Sequence, residues 1–156
     1  MSIAYKVQDY IAERKLVWDP LPHGRSDSCL DAALLADVPP ENVAKGVVLK
    51  DHDGYLLAVI PASTHLDLAR LRSALGRDLR PAPESELGSI FPDCAPGAIP
   101  AVGAAYSMPT VWQPALADAE DIYFEGGDHR TLVHMRGADF GELMRSARAL
   151  PKQVLH

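Results

Sequence analysis

Cysteine is scarce in this chain. Cys29 and Cys94 are the two thiols among 156 residues, far apart and outside any metal-finger spacing, so a disulfide framework and a zinc finger are excluded and reduced thiols are expected. Positive charge is also in the minority: 15 Lys and Arg stand against 21 Asp and Glu, for a net charge of −6. That balance excludes a protein that coats duplex nucleic acid with a broad basic face. Local clusters at Arg70, Arg72, Arg77 and Arg80, and at Arg145, Arg148 and Lys152, still permit a limited phosphate contact. No apolar run is long enough to cross a bilayer, and the first residues, MSIAYKVQDYIAERK, lack the basic start and apolar centre of a signal peptide. A cytoplasmic protein without a membrane partner is expected. There is no GxGxxG after a strand, no GxxxxGK[ST] and no GxSxG, so nucleotide-binding and α/β-hydrolase chemistry have no support.

What is present is the length and composition of one globular domain, taken as residues 1–156, with 47% apolar and 23% charged residues. Residues 43–61, VAKGVVLKDHDGYLLAVIP, read as two apolar strands joined by a turn at 51–54. Before them, a helix from a Ser2 cap to about Lys15 is expected. An extended or looped stretch with two prolines follows, then a helix at 29–38 capped by Ser28, with Asp31 at the capping-box position. After them come a helix starting at Ser63 or Thr64 and stopped by Gly76, a short strand near 77–82 and a helix in PESELGSIF. Residues 91–109 form a proline- and glycine-rich loop too apolar to be a solvated linker. Strands at 122–125 and 131–135 flank a turn at 126–130, and a last helix covers 138–150. Helices and strands mix without strict alternation, which predicts an α+β fold with a curved, largely antiparallel mixed sheet flanked by helices.

Lys45 is the anomaly in the first strand. Side chains alternate faces along a strand, so Lys45 shares its side with Val43, Val47 and Leu49. A lysine there either snorkels to water or faces a polar cavity. The loop from Gly97 to Gly103 and the turn carrying Gly127, Asp128 and His129 add glycine-permitted backbone and an Asp-His pair. A cation, loop amides and such a pair together suit ester hydrolysis or phosphate recognition. Taken singly, the glycines are turn geometry and His129 a hydrogen-bonded turn residue. A Cys94-His129 nucleophilic pair has no activating context in the sequence, and Asp93, Cys94, Asp128 and His129 lack the spacing of a metal site.

Three ordered segments, AKGVVLKDHDGYLLAVIPAS at 44–63, FPDCAPGAIPAVG at 91–103 and DIYFEGGDHRTLVHM at 121–135, with HGRSDSCLDAA at 23–33 upstream, resemble the YbaK/prolyl-tRNA-synthetase-associated family of aminoacyl-tRNA deacylases. The likeness spans nearly the whole chain. It implies a free-standing trans-editing hydrolase that cleaves the ester of mis-acylated tRNA carrying a small amino acid such as alanine, serine or threonine, without metal or other cofactor. It also implies aminoacyl-tRNA as a partner, through the CCA end and acceptor stem, an aminoacyl-tRNA synthetase as a further one, and a monomer or weak homodimer.

The resemblance assigns Lys45 to orienting the acceptor-end phosphate or the ester, and Gly97 and Ala98 to loop amides that approach the substrate carbonyl. It places His23, Ser28, Ile99, Pro100, Gly127, Asp128 and His129 around the substrate, with His129 setting pocket size or holding a water. Water or a substrate group attacks the carbonyl, helped by the neighbouring ribose hydroxyl, and the enzyme supplies position and charge. Many members have three residues between the loop glycine and proline, whereas this chain has two. That difference motivates the alternative, a non-catalytic module on the same fold that binds tRNA or a small metabolite.

Overall fold

The structure, a computed structural model, describes residues 3–156, and for Lys152 the backbone alone. In chain order it contains α1 (Tyr5–Glu13), β1 (Asp19–Pro22), α2 (Cys29–Ala36), β2 (Val43–Asp51), β3 (Gly54–Pro61), α3 (Leu68–Leu75), β4 (Arg80–Pro81) and α4 (Glu84–Ile90). Then follow β5 (Thr110–Trp112), β6 (Asp121–Glu125), β7 (Thr131–Arg136), α5 (Gly137–Leu143) and β8 (Arg148–Ala149), with short 3-10 turns between. The fold is α+β, and all its strands join one mixed sheet in the order β1-β7-β6-β2-β3-β5-β8, with β4 also on β2. The longest junctions, β2 with β3 and β6 with β7, are antiparallel; β2 with β6, β3 with β5 and β5 with β8 are short parallel pairs.

Strand alternation divides the core between the two faces of the sheet. Ala44, Val48, Leu57, Val59, Phe124 and Val133 point to one side, where α1, the 91–109 loop and α5 cover them. Leu49, Leu56, Ala58 and Ile60 point to the other and are covered by α3 and the C-terminal segment. On that second face Val43 and Tyr123 pack with Ala33 and Cys29 of α2 in a separate small cluster. Lys45, one step along β2 from this cluster, stands between it and the larger one.

Local chemistry explains where the sequence reading erred. Ser2 lies outside the described residues, and α1 is entered from Ala4, whose N–H donates to Gly126 O at 2.8 Å. The stretch expected as extended or looped contains the strand β1, and its prolines are tolerated because β1 is an edge strand paired with β7 alone. The third helix starts three to four residues late. The Thr64 hydroxyl donates back to Pro61 O, residues 65–66 pair with the C-terminus, and Asp67 supplies the cap by accepting from Arg70 N at 3.1 Å. The last helix stops at Leu143, because Arg148 and Ala149 leave to pair with β5.

The edge at β1 carries a pH-sensitive contact. His134 lies opposite Asp19 and next to Asp121, with Nδ1 3.0 Å from Asp19 Oδ1 and Nε2 2.9 Å from Asp121 Oδ1, its ring stacked on Tyr123. Partial burial works against the imidazolium, but the bonds to Asp121 and Asp19 outweigh it and raise the pKa above the ordinary histidine value. A raised folded-state pKa gives a contribution fully present below the unfolded value, near 6.5, and lost as pH rises through the folded value. Melting temperatures of the wild type and of His134→Asn should therefore differ more at pH 5.5 than at pH 8.5; an equal gap at both would show that the charge does not matter.

Candidate active site

The pairing of β2 leaves an opening. Its β3 side is paired from Ala44 to Asp51, but on the other side β6 pairs only with Val43 and Ala44, and β4 only with Leu49 and Lys50. Between them, on that side, Lys45, Gly46 and Val47 have no strand partner among the described residues. Ala62 N donates to Val43 O from the β3 side, and Ala82 N donates to Val48 O from the other. The main-chain groups therefore alternate so that those of Gly46 face the open interval. Gly46 is glycine for a steric reason: a Cβ would lie 3.0 Å from Leu57 Cδ1 and 3.3 Å from Ile99 Cγ2. The Gly97 to Pro100 segment thus presses on Gly46 from one face. Lys45 leaves β2 on the opposite face, half-buried, with no hydrogen bond or ion pair among the described residues.

A second wall is the 126–130 turn. Glu125, buried at the end of β6, accepts three backbone N–H groups at one carboxylate oxygen, from Gly127 at 2.7 Å and from Asp128 and His129 at 3.2 Å each. Asp128 accepts from Arg130 N at 2.8 Å and from the Thr131 hydroxyl at 3.0 Å. His129 is held at φ 63°, a left-handed conformation uncommon for a side-chain-bearing residue. Its carbonyl accepts from both N and Oγ of Ser26. Its Nε2 lies 2.6 Å from Pro96 O. A carbonyl can only accept, so Nε2 carries the proton and, in the neutral ring, Nδ1 is left as an acceptor. Ala95 N donates to Gly127 O at 2.7 Å, joining the loop to the turn a second time.

The loop amides divide into used and unused. Ala98 N donates to Ala95 O and Ile99 N to Gly97 O, while Gly97 N–H makes no bond among the described residues. Ala98, expected to approach the substrate carbonyl through its amide, donates that amide to the loop itself, and its side chain is buried. Ser28 is likewise engaged within the fold. Its hydroxyl accepts from Asp31 N at 3.0 Å as the cap of α2, while the Asp31 carboxylate bonds Asp27 N one residue earlier than a capping box requires. The buried hydroxyl beside His129 belongs to Ser26. Gly97 stands at φ 78°, so Gly97→Ala should cost about 1 kcal/mol of stability by thermal melting and move the unused Gly97 amide.

Two clefts flank the loop. One, of about 300 Å³, lies between α4 and residues 94–99, with Leu87, Phe91 and Ile99 in its wall. The other, of about 680 Å³, is bordered by His23, Asp93, Gly127, Asp128 and Arg130. His23 Nε2 is buried without a partner beside it. The cysteines are poor nucleophiles here. Burial pushes the Cys94 thiol up to about 12, and its neighbours are Tyr106 and Asp93, not His129. Cys29 is also pushed up to about 12, by burial first and the Glu125 charge second, against the opposing pull of Lys45. No group of three or more His, Cys, Asp or Glu among the described residues is arranged to hold a metal.

Sequence comparison assigns the chain to a family. The family model described as the aminoacyl-tRNA editing domain matches residues 23–143. The chain belongs to that family. The matched span runs from His23 through α2, the open interval of β2, the loop and the His129 turn into α5. Solved structures agree on the fold. A protein described as a candidate trans-editing enzyme for prolyl tRNA synthetase is 22% identical, with TM-score 0.77 over 94% of this chain and 93% of its own. A hypothetical protein is 23% identical, with TM-score 0.78 over 92% and 97%. A candidate signal transduction protein from Marinobacter aquaeolei VT8 is 24% identical, with TM-score 0.73 over 94% of this chain and 30% of its own. At these identities the likeness is one of fold. No curated protein sequence matches the chain.

Two residues of this editing domain escaped the sequence reading. Glu125 looked like the polar end of a strand, and Ser26 one hydroxyl in a loop with another. The signal for Glu125 is its position two residues before the Gly127 amide, the offset at which a carboxylate can fold back over a turn of N–H groups.

Proposed function

We propose that this editing domain hydrolyses the ester of tRNA charged with a small amino acid, alanine, serine or threonine, and that the ester binds at the open interval of β2. What supports the proposal is that the Gly97 amide and the Lys45 ammonium make no bond among the described residues, that the main chain of Gly46 faces the open interval where Ile99 and Pro100 pack against it, and that the chain belongs to the editing-domain family. Lys45 borders the interval from one face and the loop from the other. The ammonium holds a terminal phosphate or the charge that develops on the carbonyl oxygen. The Gly97 N–H donates to that oxygen. His129, fixed through Nε2, keeps Nδ1 free to accept from the attacking water. The carbonyl-to-ribose oxygen bond breaks, the ribose oxygen takes the proton, and free amino acid leaves.

The low basic content fits a grip limited to the CCA end, with Arg130 on the cleft rim as a further cation. The same reading makes an aminoacyl-tRNA synthetase the natural companion of a trans-acting enzyme. One observation favours the binding-only reading: two of three loop amides are spent inside the loop. The discriminating experiment uses protein far below the concentration of tRNA charged with alanine, serine or threonine. Release of many equivalents of amino acid per protein is expected from at least one; release of one equivalent or none, by folded protein, establishes the binding module instead.

A further inference from the structure

The amphipathicity of α2 is inverted. Its buried positions are small: Ala32 and Ala33 are fully buried, and Cys29 and Ala36 complete the inner side. At a hundred degrees per residue the outer arc consists of Leu30, Leu34, Asp31 and Leu35. Leu30 is 54% exposed, Leu34 79% and Leu35 48%, which makes them three of the most exposed large apolar side chains among the described residues. Small residues inside let α2 sit close to β2; nothing in the fold requires leucine outside. A groove of about 230 Å³ runs beside Leu30 and Leu34 to Val38 and Pro40. A surface helix of an isolated protein carries polar residues on that arc.

The charge around this face restricts its occupant. From residue 26 to residue 42 the chain holds Asp27, Asp31, Asp37 and Glu41 and no lysine or arginine. Asp27, Asp37 and Glu41 are exposed and Asp31 is half-buried. Such a rim repels nucleic-acid phosphates, and it repels a second copy presenting the same face. It attracts a basic partner with apolar anchors.

We propose that the outer face of α2 is a docking surface for a basic amphipathic helix of a partner protein, whose apolar side chains seat between Leu30, Leu34 and Pro40 while its lysines or arginines meet the four acidic residues. Helix-in-groove recognition uses such i, i+4 anchors. The proposal is independent of whether the domain hydrolyses its ester.

The test uses the whole protein and two labelled amphipathic helical peptides, one of leucine and lysine, the other of leucine and glutamate, read by fluorescence anisotropy. The lysine peptide should bind and protect α2 amides from hydrogen exchange, and the glutamate peptide should not bind. Leu30→Ser/Leu34→Ser, which leaves net charge unchanged and alters exposed positions, should weaken binding about tenfold or more. Asp31→Lys/Asp37→Lys should reverse the preference between peptides. Unchanged affinity in the leucine variant, or protection elsewhere than α2, overturns the proposal. So does self-association abolished by Leu34→Ser, which would assign the face to a second copy, or loss of binding to a CCA-ended RNA hairpin in the leucine variant, which would assign it to RNA.

Discussion

Lys45→Ala should lower ester hydrolysis by on the order of 10²–10³, the cost of removing a preorganised charge or donor from a developing oxyanion. The melting temperature should barely change, because Lys45 makes no hydrogen bond or ion pair among the described residues and its removal leaves nothing unpaired. This separation of activity from stability is what distinguishes a working cation from a snorkelling one. Steady-state kinetics on one charged tRNA, beside a thermal melt, check it. If the ammonium acts on the acceptor-end phosphate, the loss falls chiefly in KM and shrinks at high salt. If it acts on the oxyanion, the loss falls in kcat. Full activity in Lys45→Ala removes it from the chemistry.

Glu125→Ala should do the reverse and damage the fold first. It strips the common acceptor from Gly127, Asp128 and His129 N–H at a buried position. Hydrogen bonds to a charged acceptor contribute more than neutral ones, and unpaired buried donors carry a desolvation penalty, so a loss of about 3 kcal/mol is expected by chemical denaturation. The left-handed conformation of His129 should be lost with the nest, and the loop held through Pro96 with it. Glu125→Gln keeps one acceptor oxygen and should recover most of the stability. Equal stability of wild type and Glu125→Ala would show that water replaces the carboxylate at no cost.

Much of this fold was legible because local signals agreed with tertiary ones. The hairpin of β2 and β3, its turn, the cap of α2 and the αL glycine ending α3 all follow from residue type and period. β1 was illegible because its two prolines argue against a strand, and only its position at the sheet edge removes the objection. The start of α3 was illegible because the C-terminus, ninety residues away in sequence, recruits residues 65 and 66. The site divides in the same way. Lys45 stands out as a charge in an apolar strand. Which loop amide stays unused, which hydroxyl reaches His129 and the opening between β6 and β4 depend on distant segments meeting, and no local pattern encodes them.

The central claim is that the aminoacyl ester lies at the interval of β2 left open by β6 and β4. The most direct measurement is amide chemical-shift mapping with a non-hydrolysable amide analogue of the alanyl-adenosine end of tRNA. The account predicts shifts centred on Gly46, Gly97 and His129. Shifts centred instead on the separate surface cleft lined by Lys50, Asp78 and Arg80 would contradict it.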